Sequence, residues 1–190
     1  QPLGYDGLEH LTLREFDDHV EINSVVIGVE DQIPFRLDYH LKCDQSYRLR
    51  ELLINVTDVG KLKITSDGHG KWFDGEGQQL PELDTCLDID ISATPFTNML
   101  PINRIKWQPG QTETINVVYI LIPDLEVSVE KQRYTYMSKE DERSIYRFEH
   151  LSSGFTALLS VDKDGIVLDY PDLFEAIWSK PVGDSDIDPK

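Results

Sequence analysis

The 190-residue chain has only two cysteines, Cys43 and Cys86, and no long hydrophobic run. Two cysteines are too few for a disulfide framework in a chain of this length, so we expect both to be free thiols packed beside apolar neighbours. No segment approaches the roughly 18 apolar residues that a membrane-spanning helix requires. These two absences exclude a disulfide-stapled scaffold and predict a chain with no transmembrane segment.

Positive charge is also scarce, since 18 Lys and Arg face 35 Asp and Glu, for a formal net charge of −17. Phosphate backbones and anionic lipid surfaces repel such a chain, which argues against nucleic acid as a partner and against electrostatic attachment to membranes. The first ten residues, QPLGYDGLEH, have neither the basic region nor the apolar run of a signal peptide. We therefore expect a cytoplasmic protein.

Helical periodicity is nearly missing, and alternation of apolar and polar residues takes its place. Turn residues separate the alternating runs, as in a meandering antiparallel sheet. Such a sheet must close or curve to protect its edges. The pattern predicts an all-β fold, a curved antiparallel sheet or incomplete barrel. The predicted strands cover residues 8–16, 20–29, 35–43, 47–57, 61–65, 71–74, 87–92, 112–122, 127–137, 145–151, 155–161 and 166–170.

Only one helix start is convincing. Pro171 suits a first helical position and Asp172 complements the helix dipole, which predicts a short C-terminal helix over residues 171–178. Residues 138–143, SKEDER, are predicted to form a charged loop. Because no linker or repeat interrupts the pattern, residues 7–178 are expected to form a single domain, and residues 179–190 a disordered tail.

The most unusual stretch is residues 80–104, LPELDTCLDIDISATPFTNMLPINR. Asp88 and Asp90 alternate there with Leu87, Ile89 and Ile91, so both carboxylates lie on one strand face, about 7 Å apart. Like charges at that spacing need open water, a cation or hydrogen-bond donors. Open water is the simplest expectation, and neutralisation by an arginine such as Arg104 or Arg133 is the alternative.

An irregular polar and aromatic loop follows this strand, and a strand-end loop is where a β-barrel presents polar groups to a ligand. The other reading is that its Asn and Thr side chains only pin a difficult loop. The candidate ligand-binding residues are Asp88, Asp90, Thr94, Phe96, Asn98, Arg104, Arg133 and Tyr134.

Aromatic side chains recur on two successive predicted strands. Tyr134 and Tyr136 share one face of the first, and Tyr146, Phe148 and His150 share one face of the second. If the two strands pair in register, these rings form a wall suited to stacking on a sugar or an acyl chain. The alternative is ordinary cross-strand packing in a core.

Signatures of catalysis and of cofactor binding are missing. The sequence contains no nucleophile elbow, P-loop or dinucleotide fingerprint. His40 and Cys43 have a ligand-like spacing, but an odd separation on a strand places them on opposite faces. We therefore expect no catalytic residues, no cofactor and no metal. An acid–base pair made of Asp88 and Asp90 is the one enzymatic alternative that the sequence leaves open.

Five segments together resemble the family known as Putative glycolipid-binding, formerly a family of unknown function. They are GLEHLTLRE at residue 7, FRLDYHLKCD at residue 35, residues 67–104 from DGHGKWFDGEG to the acidic strand and its loop, KQRYTY at residue 131, and SSGFTALLSVDKDGIVLDYPDLF at residue 152. The resemblance implies a fold like that of bacterial lipoprotein carriers, in which a curved antiparallel sheet surrounds an apolar cavity.

The leading functional hypothesis is noncatalytic binding of an amphipathic small molecule, such as a glycolipid, in the concavity of the sheet. The alternatives are a small enzyme that uses Asp88 and Asp90, and a structural or protein-interaction module with a filled core. A large continuous apolar cavity favours the binder, a small polar cleft holding both carboxylates favours the enzyme, and a filled interior favours the module.

Overall fold

The computed structural model describes residues 7–30, 32–171 and 173–179. Within these ranges the chain forms a six-stranded sheet followed by a seven-stranded sheet, and the strands curl into an incomplete barrel. The predicted all-β fold is confirmed. The single-domain prediction for residues 7–178 stays a prediction, and residues 180–190 of the predicted disordered tail lie outside the described residues.

The first sheet is an antiparallel meander in which each strand pairs with the next. Apolar side chains such as Ile22, Leu41 and Ile64 are buried on its inner face, and their polar neighbours point to the outer face. All six predicted strands of this half are confirmed, with ends that differ by a few residues. The strands are β1 (Leu8–Glu15), β2 (His19–Glu30), β3 (Ile33–Asp44), β4 (Leu49–Val56), β5 (Gly60–Ser66) and β6 (Trp72–Asp74).

The second sheet runs in the spatial order β13 to β7. Its first strand, β7, pairs with β8 in parallel, with Asp88 beside Val117 and Asp90 beside Tyr119, so the expectation of a wholly antiparallel sheet is wrong at this edge. The strands are β7 (Asp88–Ile91), β8 (Thr112–Leu121), β9 (Glu126–Glu140), β10 (Arg143–His150), β11 (Phe155–Val161), β12 (Val167–Tyr170) and β13 (Phe174–Glu175).

Helix occurs where no helical period is visible. The α-helix α1 spans Met99–Arg104, directly after a 3-10 turn at Phe96–Asn98, and another 3-10 turn spans Pro81–Leu83. Residues 99–102 of α1 are all buried, so the helix has no polar face across that turn. A short helix that is apolar all round shows no amphipathic period, which is why the sequence pattern did not reveal it.

The predicted C-terminal helix is wrong. Within residues 171 and 173–178, Phe174 and Glu175 instead form β13, which pairs Phe174 with Tyr170, and the Ala176 N–H donates to the Leu168 carbonyl at 2.9 Å. Asp172, the residue predicted to stabilise the helix dipole, lies outside the described residues. An eight-residue helix is marginal by itself, whereas the extended segment gains ladder hydrogen bonds from β12.

The predicted SKEDER loop is also wrong. Strand β9 continues to Glu140 and β10 begins at Arg143, which leaves only a two-residue turn at Asp141 and Glu142. Asp141 adopts a positive φ of 56° there. Exposed charged residues at the end of a long hairpin have the same composition as a loop. Their backbone pairing cannot be read from the hydrophobicity pattern, which is why the prediction was wrong.

The inner face of the first sheet and one face of strands β7 and β8 enclose the main core. Ile89, Ile91 and Val118 pack there against residues of the first sheet, and each is at most 1 % exposed. The Trp72 Nε1–H donates to the Cys86 carbonyl at 2.9 Å, which joins β6 to the segment before β7. Among the described residues there is no helix long and apolar enough to span a membrane.

Both cysteines are free and buried, as predicted. Burial raises the pKa of the Cys43 thiol to about 12 and that of the Cys86 thiol to about 11. Because the thiolate is the reactive form, native protein at pH 7 is expected to resist alkylation by iodoacetamide, whereas denatured protein takes up two groups without prior reduction. Intact mass spectrometry measures both states. Rapid double labelling of the native protein, or none after denaturation, is the contrary outcome.

Candidate functional site

The acidic strand lies inside the protein and not on a solvated face, so the expectation of open water around Asp88 is wrong. Asp88 is 1 % exposed. The Arg104 guanidinium, at the end of α1, donates from Nε to Asp88 Oδ1 at 3.0 Å and from Nη2 to Oδ2 at 2.5 Å. Burial raises the pKa of Asp88, and this bidentate contact with Arg104 opposes the shift. The second sequence-based reading, in which arginine neutralises the strand, is therefore what occurs at Asp88.

Asp90 lies one pleat further along β7 and is satisfied by neutral donors. Thr97 Oγ1 donates to Asp90 Oδ1 at 2.9 Å, and Gln132 Nε2 donates to Oδ2 at 2.6 Å. Burial raises the pKa of Asp90, while these two hydrogen bonds oppose the rise. Carboxylates one pleat apart thus coexist because one has a full counter-charge and the other has two strong donors.

The same network reaches two more of the predicted residues. Tyr134 is 2 % exposed, and its hydroxyl lies 2.8 Å from Asn98 Oδ1 and 3.2 Å from Gln132 Oε1. The Asn98 amide also donates to the Pro95 carbonyl at 3.0 Å. Asp90, Asn98 and Tyr134 are therefore brought together through Thr97 and Gln132, two residues that sequence reasoning did not single out.

The aromatic alignment predicted from the sequence is confirmed. Tyr134 pairs with Phe148 and Tyr136 pairs with Tyr146 across β9 and β10, with ring centroids 5.3 and 5.1 Å apart. Tyr134, Tyr146 and Phe148 are each at most 5 % exposed. The rings belong to a second core cluster, so cross-strand packing is their observed role.

Thr94 belongs to a different hydrogen-bond cluster, centred on Glu9, which joins the loop to the first sheet. Glu9 in β1 accepts hydrogen bonds from Ser24 Oγ at 2.6 Å, from the Tyr39 hydroxyl at 2.7 Å and from Thr94 Oγ1 at 2.7 Å. Three donors on one carboxylate satisfy a group that β1 holds against the core face. Only the GLEH segment hinted at Glu9, and nothing in its local pattern separated it from an exposed glutamate.

The remaining predicted residues do not meet at one place. Phe96 is 4 % exposed in the main core. Arg133 precedes Tyr134 in β9 and therefore points to the opposite face, where its Nη1 lies 3.5 Å from Glu149 Oε1. The eight candidates thus divide among the interior network, the hydrogen-bond cluster at Glu9, the core and the outside of the second sheet. Their predicted role in ligand binding stays a prediction.

An open cavity of about 950 Å³ lies elsewhere, across the outer face of the first sheet. We call it the groove. The cavity contacts five consecutive strands, β1 to β5, on the face of the sheet that points away from the main core. The residues whose side chains alternate toward it are His10, Thr12, Asn23, Val25, Asp38, His40, Leu53, Asn55, Lys61 and Lys63.

The middle of the groove is polar and partly buried. His40 Nδ1 and Asn23 Oδ1 lie 2.9 Å apart, and Asn55 Nδ2 donates to Asp38 Oδ1 at 3.3 Å. These two cross-strand pairs hold amide, imidazole and carboxylate groups in place while leaving further donors and acceptors for a ligand. His40 and Cys43 lie on opposite faces of β3, as the odd spacing predicted.

Aliphatic side chains border the polar middle. Val25 is 39 % exposed and Leu53 is 37 % exposed, and both line the groove. Ile27, the next residue on the same face of β2, is 50 % exposed. Apolar side chains beside a polar floor make the groove amphipathic, which is the character expected of a site for a molecule with one polar and one apolar part.

Sequence reasoning missed the groove. Its residues are the polar half of ordinary period-two alternation, which is typical of a solvated strand face. The cavity is formed by residues of five strands together, and no local pattern encodes it. The described residues also contain no group of three His, Cys, Asp or Glu side chains placed to hold a metal ion.

Comparisons with known proteins place these features in context. Residues 1–176 match the model of a family described as "Putative glycolipid-binding". The fold is similar to the crystal structure of a DUF1089 family protein from Pseudomonas aeruginosa, with a TM-score of 0.78 and 38 % sequence identity over 89 % of this chain and 92 % of that chain. No curated protein matches the sequence.

Because Asp88 and Arg104 form an ion pair inside the protein, we expect a single substitution at either residue to lower the free energy of unfolding strongly. Asp88→Asn leaves a buried guanidinium without its counter-charge, which should lower the free energy of unfolding by about 3–5 kcal/mol. Arg104→Gln should be similarly costly. The double variant should cost clearly less than the sum, because neither charge is then left alone. Urea denaturation of the four proteins measures this coupling. Additive effects would show that the pair is not an energetic unit.

Asp90 predicts a dependence of stability on pH. Its folded pKa lies above the ordinary value of 3.8, so the folded state keeps a proton that the unfolded state has lost. Stability from this group is therefore present at low pH and falls as pH rises above about 3.8 toward the folded pKa. Asp90→Asn lacks the charge, and a flipped Gln132 amide can still bond to it.

Thermal melts of wild type and Asp90→Asn between pH 3.5 and 7.5 test this expectation. The variant should gain stability relative to wild type as pH rises, and should match or exceed it at pH 7.5. A variant that loses stability relative to wild type on raising the pH contradicts the direction of the pKa shift.

Proposed function

The chain belongs to the Putative glycolipid-binding family, and from that membership and the groove we propose that it is a noncatalytic binding protein for an amphipathic small molecule. The observation that carries the proposal is the open cavity of about 950 Å³ on the outer face of the first sheet. Sites for small ligands commonly measure about 300–1,000 Å³. The groove is therefore large enough for a head group together with part of an acyl chain.

The chemistry of the groove supports the same proposal. The Asn23–His40 and Asp38–Asn55 pairs offer donors and acceptors that suit sugar hydroxyls. Val25 and Leu53 offer aliphatic surface, and burying such surface contributes about 25 cal/mol per Å². A molecule with both kinds of group makes favourable contacts with both parts of the lining, whereas a purely polar or purely apolar molecule makes favourable contacts with only one.

The acidic strand supports a positioning role in this proposal. Asp88 is bound to Arg104 and Asp90 to Thr97 and Gln132, so their carboxylates hold the loop after β7 in place. These contacts count against the enzymatic alternative, because an acid–base pair needs carboxyl groups that reach a substrate proton. The interior network and the hydrogen-bond cluster at Glu9 would then keep the two sheets in the arrangement on which the groove depends.

The proposal predicts that a charge on the apolar part of the groove weakens binding. Leu53→Asp places a carboxylate where the acyl chain would lie, and should weaken binding of dodecyl maltoside, added below its micelle concentration, at least tenfold. Leu158→Asp is the matched control, since Leu158 is 52 % exposed on β11 of the second sheet. Isothermal titration calorimetry measures both affinities.

Three results would count against the groove as the binding site: no binding by wild type, equal weakening by both substitutions, or binding that Leu53→Asp leaves unchanged. Circular dichroism of each variant confirms that the fold is retained. Native mass spectrometry of protein purified from its own host then identifies the mass of any amphiphile retained by wild type and lost from Leu53→Asp.

A further inference from the structure

We propose that the groove recognises an anionic head group, such as a phosphate ester, at Lys61 and Lys63. This inference rests on the proposed function, because it specifies the ligand class of the same site. The two lysines are exposed on β5 and line one side of the groove.

The charge balance of the groove is opposite to that of the chain. Acidic residues outnumber Lys and Arg by 35 to 18 in the whole sequence. Among the charged residues that line the groove, Lys61 and Lys63 face a single acidic residue, Asp38. His10 adds an imidazole whose N–H can donate a hydrogen bond to an anion, whereas His40 Nδ1 already faces Asn23 Oδ1. The lining therefore holds more lysine than acid, in contrast to the whole sequence, although Glu51 outside the lining pairs with Lys63.

The acidic neighbours leave the lysines available. Asp38 accepts a hydrogen bond from Asn55, which directs one carboxylate oxygen along the sheet. Lys63 Nζ lies 3.1 Å from Glu51 Oε2, and its side chain is 46 % exposed. An exposed ion pair of this kind contributes little and exchanges partners readily. A phosphate can therefore draw the Lys63 ammonium into the groove at small cost.

The register of the sheet places head-group and chain contacts side by side. Leu53 is the direct cross-strand partner of Lys63, and His40 is the partner of Leu53 on the other side. Directly opposite residues in an antiparallel sheet have Cβ atoms about 4.5–5.5 Å apart. The junction between an anionic head and an acyl chain would thus lie over the Leu53–Lys63 pair, with the head on the two lysines and the chain on Leu53.

The overall charge adds selectivity to this site. At a formal net charge of −17 the protein is repelled by an anionic membrane surface. Screening limits that repulsion to about 8–10 Å at physiological salt, so a single anionic molecule close to Lys61 and Lys63 responds mainly to the lysines. The arrangement favours individual anionic amphiphiles over docking to a bilayer.

Calorimetric titration with two lysolipids tests the inference. Myristoyl lysophosphatidylglycerol is anionic and myristoyl lysophosphatidylcholine carries no net charge, and both are used below their micelle concentrations. Wild type should bind the anionic lipid about tenfold more tightly, and raising NaCl from 0.05 to 0.5 M should reduce that preference. The double variant Lys61→Gln with Lys63→Gln should lose it, while the control Lys131→Gln with Lys139→Gln on β9 keeps it.

The outcomes separate the inference from the proposed function. Equal binding of both lipids that Leu53→Asp still weakens overturns the anionic preference and supports the amphiphile site. If glycerol phosphate binds as tightly as the anionic lysolipid, the result supports recognition of an anion at Lys61 and Lys63 and overturns the need for an acyl chain. A preference retained in the Lys61→Gln, Lys63→Gln variant overturns the assignment to these lysines, and binding of neither lipid nor of glycerol phosphate overturns both proposals.

Discussion

Two carboxylates on one short strand are withdrawn from water, Asp88 fully and Asp90 in part, and this is the constraint on which the structure depends. Asp88 and Asp90 share a face of β7, and the opposite face, with Ile89 and Ile91, lies in the main core. Taking a carboxylate out of water is costly unless it is paired or hydrogen-bonded. The next 16 residues along the sequence meet part of that requirement, since Thr97 bonds to Asp90 and Arg104 closes on Asp88. The 3-10 turn and α1 are the backbone path that delivers these two side chains.

The same requirement links the two sheets. Gln132 reaches Asp90 from β9, and Thr94, in the loop that follows β7, reaches back to Glu9 in β1. Hydrogen bonds between elements distant in sequence restrict the relative positions of those elements more than apolar contacts do, because the distances and angles of hydrogen bonds are restricted. The interior is occupied by this network and by two apolar clusters, which is the outcome expected of a module with a filled core, and the open cavity lies on the outside of the first sheet. A binding role for this protein therefore concerns a surface groove with a polar floor.

Much of the strand structure was predictable because it has a local cause. Alternation marked every strand of the first sheet, and it placed Tyr134 and Tyr136 on one strand face and Tyr146 and Phe148 on another. The structure pairs these faces across a hairpin. It also placed Cys43 in the core and His40 on the other face. Where the cause is not local, the sequence misled. Phe174 forms a strand because β12 offers a pairing edge, and α1 is a helix although residues 99–102 show no polar face.

The sequence by itself determined the fold class, the alternation of each strand and the resemblance to a family, because side-chain direction in a strand has a period of two that any reader can count. It also singled out Asp88 and Asp90 as residues that need partners. Only the tertiary structure decided who those partners are and where the open surface lies. Arg104 meets Asp88 after a turn and a helix, and Lys61 on β5 lines the same groove as His10 on β1. Such placement depends on the path of the chain through the assembled sheets and not on any segment within them.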